Sequence, residues 1–145
     1  MNTQEEKPNI PMTQSKTVLH HYLGTGLLVQ FGTKEPFLRD LYADNVESAI
    51  NSGLPALHSM NRLTMPLENG EVPLIELAKM CFPNEEWNVF QNQVHCKTMR
   101  FWYDEKNGFH LTGDVFRVNQ LQLFQYLINN HFNCFGLSES EYIEK

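Results

Sequence analysis

The sequence predicts a one-domain α+β fold: a small curled antiparallel sheet, a late β-hairpin and two to three helices. Three observations carry this expectation. Between Met99 and Val118, apolar residues alternate on either side of the turn-forming run Asp104-Glu105-Lys106-Asn107-Gly108, which is the pattern of a hairpin. Directly behind it, Leu121, Phe124, Leu127, Ile128 and His131 share one side of a helical wheel. In the first half, Gly26 to Phe31 reads as a short strand, and beyond the turn Gly32-Thr33-Lys34-Glu35-Pro36 the run Phe37 to Ala43 reads as a returning strand, although its period fits a helix nearly as well.

The remaining elements follow in order. Residues 1 to 14 mix charge, amide and proline without hydrophobic period and read as a flexible tail, leaving 15 to 145 for the domain. Val18, Leu19, Tyr22 and Leu23 have helical spacing, with Ser15 or Thr17 as N-cap and Gly24 as a left-handed stop. Asp44-Asn45 and Ser52-Gly53 bracket a segment whose pattern decides neither helix nor strand. Leu54 to Met60, carrying Pro55, reads as a strand near a sheet edge, because proline cannot donate to a ladder.

Glu68-Asn69-Gly70-Glu71 is a turn, and Pro73 then opens a helix through Leu74, Ile75, Leu77, Ala78 and Met80 that Pro83 ends. Trp87 to Phe90 is undecided, whereas Val94, Cys96 and Thr98 alternate into the hairpin strands. Asn119 suits the N-cap of the last helix, with Gln122 three residues on. The opposite side of that helix is a stripe of amides: Gln122, Gln125, Asn129 and Asn133.

Composition bounds the function. A chain of 145 residues, 41% hydrophobic and 12% aromatic, has the material for a core without disulfide or metal staples. A net charge of −6 and a pI near 5.4 oppose generic coating of DNA or RNA, which begins from clustered lysine and arginine. An acidic protein is instead steered toward basic surfaces, including the channels in which larger proteins hold nucleic acid. Cys81, Cys96 and Cys134 are widely spaced with no CxxC, which fits free thiols in a reducing compartment and not a zinc site. With no apolar leader and no membrane-length run, the chain reads as cytoplasmic and soluble.

The candidate chemistry is thin. Gly24-Thr25-Gly26 has Val29 where a dinucleotide fingerprint needs its third glycine, and it precedes a strand instead of following one, so it reads as a turn. A small histidine-dependent nuclease would need two imidazoles converging on one phosphate, with His20 or His21 and His131 as the candidates. His131 on the apolar side of its helix reads more simply as a satisfied core residue. His95 and Cys96, adjacent on a strand, point to opposite faces and cannot form a nucleophile and base pair. The carboxylates Glu139, Glu141 and Glu144 read as a charged tail, without metal spacing. No catalytic residue, metal site or cofactor is expected.

Arg100-Phe101-Trp102-Tyr103 is the one concentration of arginine with large aromatics, the composition of binding hot spots. If Met99, Phe101 and Tyr103 face inward, alternation turns Arg100 and Trp102 to the other face. The candidate partner-binding residues are therefore Arg100, Trp102 and Tyr103, together with the amide face Gln122, Gln125 and Asn129.

Taken in order, Leu19-His20-His21-Tyr22-Leu23-Gly24-Thr25-Gly26-Leu27, Leu54-Pro55-Ala56-Leu57, Asn69-Gly70-Glu71-Val72-Pro73 and the block from Leu127 to Leu137 resemble a family of small proteins from phages, prophages and mobile elements of Bacteroidetes. The resemblance spans roughly residues 18 to 140. Its motifs are turns and packing positions, specific for kinship and silent on catalysis. Two departures stand out: Gly24-Thr25 replaces a usual Pro-aromatic pair, and Ser-Glu-Ser-Glu-Tyr follows Leu137 in place of an apolar finish. The resemblance implies a non-catalytic protein-binding factor that inhibits a host RNA-guided CRISPR nuclease, an anti-CRISPR, whose partner offers a basic nucleic-acid channel. A phage structural or replication accessory is the other role it implies.

Overall fold

In the computed structural model, which describes residues 16–113 and 120–145, the strand-forming segments pair into two four-stranded sheets accompanied by helices, an α+β fold. The expected tail over 1 to 14, the end of the hairpin segment near Val118 and the Asn119 cap lie outside the described residues. The chain divides into two compact units. One takes the chain up to His58 together with Leu127–Lys145, and the other runs from Ser59 to Tyr126.

In the first unit, Lys16–Tyr22 is a 3-10 helix and not an α-helix. The reason is visible in what it buries: Lys16, Leu19 and Tyr22 recur every third residue and fall on one edge only at three residues per turn. Gly24 follows with φ +82, the expected left-handed stop. Strands β1 (Leu28–Phe31) and β2 (Phe37–Asp40) pair antiparallel, with Phe31 opposite Phe37.

The undecided segment is helix α1 (Val46–Ser52), which buries Val46, Ala49 and Ile50 at i, i+3 and i+4. Strand β3 (Leu54–Leu57) then lies inside the sheet, between β1 and the short parallel strand β8 (Ile143–Glu144), and not at its edge. Pro55 is tolerated there because pairing with β8 begins only at Ala56, one residue past the missing N–H.

The end of the chain is structural, in contrast to the charged tail expected from its carboxylates. Glu141 is only 6% exposed and accepts hydrogen bonds from the Ser138 backbone N–H and hydroxyl, both at 2.9 Å. Lys16, 4% exposed, donates through Nζ to the Gly53 carbonyl at 2.8 Å. Burial pulls its pKa down, and the charge of Glu141 opposes that shift. The core of this unit joins Leu19, Tyr22, Leu27, Val29, Leu57 and Leu137 among others, and the Tyr22 hydroxyl donates to the Phe132 carbonyl.

In the second unit, helix α2 (Pro73–Cys81) starts at its proline as expected and buries Leu74, Leu77 and Ala78. Strands β4 (Asn88–Phe90), β5 (Gln93–His95), β6 (Arg100–Asp104) and β7 (Gly108–Thr112) form an antiparallel meander in chain order. The expected hairpin is β6 with β7. Its turn is tied by the Asp104 carboxylate, which accepts from the Lys106 N–H at 2.9 Å and the Asn107 amide at 3.1 Å, and Gly108 takes φ +83.

Helix α3 (Gln120–Asn129) begins in the second unit and ends in the first. Its buried side departs from the expected one: Leu123 is fully buried, whereas Leu121 is 72% exposed. The apolar face is carried by Leu123, Leu127 and Ile128, with Phe124 set edge-on to Phe109 at 5.9 Å. Leu121, the second residue of the helix, is left outside the core that Leu123 enters.

Candidate recognition face of the meander sheet

Pairing register decides which side chains share a face, because directly opposed residues of an antiparallel pair point the same way. Val89, Val94, Phe101 and Leu111 align across the four strands on one face. Helix α2 packs against β5 and β6, and Val94 and Phe101 are fully buried. The Phe101 ring stacks parallel on Phe109 at 5.5 Å and 2°, which makes this the core side.

The other face carries two aligned rows. One is Phe90, Gln93, Trp102 and His110; the other is Asn88, His95, Arg100 and Thr112. Trp102 lies flat against His110, with centroids 5.2 Å apart and planes 13° off parallel. Phe90 meets His95 edge to face at 5.9 Å and is 59% exposed. Arg100 is exposed and sits opposite His95 in the register. His110 Nε2 faces the Asp104 carboxylate at 3.8 Å, and the turn N–H and amide that Asp104 accepts hold its pKa below the usual carboxylate value. A groove of about 530 Å³ opens from this face and is lined by Phe90, Gln93, His95, Lys97 and Arg100 among others. A second groove of about 440 Å³, which shares His95 and Lys97, is bordered by Glu85 and Glu86.

The expected binding residues therefore separate. Arg100 and Trp102 share the outer face, as alternation requires. Tyr103 is on the core side, edge-on to Phe109 at 5.0 Å, and lines a cavity of about 200 Å³ with Leu63, Leu74 and Asn92. Gln122, Gln125 and Asn129 are exposed along α3, so the amide stripe is a wet surface on a different element from the hairpin face. Asn133 is withdrawn from that stripe: its side chain accepts from the Leu137 N–H and donates to the Leu137 carbonyl, both at 2.9 Å.

Phe90, Gln93, His95 and His110 were missed as companions of Arg100 and Trp102. The sequence signals for them are the inward alternation of Val94 and Cys96, which turns Gln93 and His95 outward, and that of Phe109 and Leu111, which turns His110 outward. Those signals needed β4 and the register before they located a row.

The histidines considered for phosphate chemistry are occupied otherwise. His131, at φ +64 just past α3, is buried. Its Nε2 lies 2.8 Å from the Thr25 carbonyl, which only accepts, so Nε2 carries the proton and Nδ1 receives the Lys145 ammonium. Burial lowers the His131 pKa, the Thr25 hydrogen bond opposes the shift, and Lys145 reinforces it. His21 stacks on Phe135 at 4.9 Å, while His20 faces Glu47 at 3.7 Å. His95 and Cys96 do point apart, with the thiol buried.

Among the described residues there is no group of three or more His, Cys, Asp or Glu able to hold a metal ion, and no helix long and apolar enough to cross a membrane. No family model matches the chain, and neither a curated protein nor a solved structure is similar to it.

Proposed function

We propose that this chain is a binding factor of a phage or mobile element that blocks a host RNA-guided nuclease, engaging it through the outer face of the meander sheet. The observation that carries the reading is that face itself. Arg100 and Trp102 lie on the side of the sheet opposite α2, flanked by the exposed ring of Phe90 and the imidazoles of His95 and His110. Arginine and tryptophan are the residues most enriched where binding energy concentrates.

Two further points support it. The resemblance in the Leu19 to Leu27 and Leu127 to Leu137 blocks belongs to proteins of mobile elements, whose small acidic members meet host defences. The net charge of −6 favours approach to a complex built around a basic channel.

The test is capture from a Bacteroidetes host lysate on immobilised full-length protein, followed by a cleavage assay with whichever nuclease is recovered. The expected result is a stoichiometric complex with an RNA-guided nuclease and loss of cleavage, both abolished in an R100A/W102A double variant of normal thermal stability. Recovery of no nuclease, or inhibition unaffected by the double variant, would sink the proposal.

A further inference from the structure

The outer face is more specific in its chemistry than a general hot spot. We infer that it is a stacking platform for single-stranded nucleic acid, the exposed strand of the targeted complex being its ligand. This rests on the reading of that face as the recognition surface and goes further by naming what it holds.

The geometry points there for three reasons. First, the rings form a row across the sheet. Phe90 and Trp102 are two strands apart, about 9.6 Å at the usual strand spacing, with the Gln93 amide on the strand between them, and His110 stacks against one face of Trp102, leaving the other face of that ring toward Gln93. Rings offered by neighbouring strands of an antiparallel sheet are how a flat surface holds unstacked bases, and an amide between them presents donor and acceptor to a base edge.

Second, the second row lies two residues further along the strands, about 6.6 Å away, and supplies Arg100 beside His95. That is where the backbone of a strand stacked on the first row would run, and a guanidinium suits a phosphate. The groove of about 530 Å³ continues from this point past Lys97, within the roughly 300–1,000 Å³ typical of ligand sites. Glu85 and Glu86 border the other groove and disfavour a phosphate path on that side.

Third, the acidic chain as a whole excludes the usual charge-driven mode. With Arg100 and Lys97 as the cations bordering the groove, binding relies on stacking. Two phosphate contacts give a slope of log affinity against log salt of only about −1.4 for a single strand.

The experiment uses the full-length protein and short fluorescein-labelled RNA homopolymers, oligo-U and oligo-A, titrated at low and moderate salt by fluorescence anisotropy. Saturable binding is expected, with the shallow slope above. F90A and W102A should each weaken it by about 5- to 150-fold, the worth of one base stack, while F37A on β2 leaves it unchanged. Phe90 is exposed, so F90A keeps the test informative even if W102A folds poorly.

No binding of either homopolymer at low salt would overturn the inference. So would binding that survives F90A and W102A with a steep salt slope, because that would be charge-driven contact elsewhere. Capture of a nuclease stripped of its nucleic acid, dependent on Arg100 and Trp102, would also overturn it while leaving the proposed function standing.

Discussion

The Phe101 and Phe109 pair measures how much of the meander depends on ring geometry as distinct from hydrophobic area. Phe101 is fully buried and lies parallel to Phe109 at 5.5 Å, and Phe109 in turn meets Tyr103 and Phe124 edge-on. A phenyl side chain that buries about 150 Å² or more contributes roughly 4 kcal/mol at 25 cal/mol/Å². Alanine at position 101 would cost about 3–5 kcal/mol, a large share of a typical total of about 5–15. Leucine is the better probe, since it keeps aliphatic bulk while removing the ring.

F101L, F109L and the double variant should be unfolded in urea. Trp87 is a built-in reporter, buried in the same unit with its indole N–H donating to the Phe82 carbonyl at 3.3 Å. Each single change is expected to cost about 1–3 kcal/mol, and the double change less than their sum by about 0.5–1.5 kcal/mol, the worth of the aromatic pair. Strict additivity, to within about 0.3 kcal/mol, would refute the argument that the stacked geometry contributes beyond burial.

Glycine substitutions should rank by the space each Cβ meets. In G113A the new atom would lie 2.2 Å from the Thr98 carbonyl at φ +105, and in G53A 2.6 Å from Val29 Cγ1 and 2.9 Å from Ala49 Cα. G70A at φ +86 meets nothing within 4 Å. Thermal unfolding should show G113A worst, G53A down by about 1–3 kcal/mol from overpacking, and G70A losing only the left-handed penalty of about 1–2 kcal/mol. The pH dependence follows from His131, whose folded pKa lies below its unfolded value of about 6.5. The unfolded chain binds the extra proton first, so the stability His131 contributes is complete above that value. It is lost as pH falls toward the folded pKa, with a slope of at most about 1.4 kcal/mol per pH unit from this residue. H131N, which suits the left-handed φ of +64, should flatten the profile between pH 7 and 5; an unchanged profile would remove His131 from the account.

Much of the fold was legible locally. Pro73 at a helix start, Gly24 as a left-handed stop, the Asp104 to Gly108 turn and the alternation from Met99 to Tyr103 are decided by backbone sterics and period, which neighbouring residues already express. Where local signals balanced, distant contacts chose. Residues 46 to 52 are helical because Val46, Ala49 and Ile50 enter the core of the first unit, and Leu123, not Leu121, is the residue of α3 that tertiary packing buries.

The outer face of the meander sheet divides the same way. Alternation alone placed Arg100 and Trp102 together and set them apart from Phe101, because successive residues on a strand must point oppositely. It could not reveal that Phe90, Gln93, His95 and His110 join them, since that depends on hydrogen-bond register across strands that are separate in the sequence. Register is also what made β3 an interior strand, through β8 brought from the far end of the chain, and Lys16 is a buried charge because the Gly53 carbonyl, remote in sequence, accepts from it. Period and turn chemistry are properties of a few adjacent residues and can be read from them. A surface assembled from several strands, and a charge enclosed by remote segments, come into being only when the chain closes on itself.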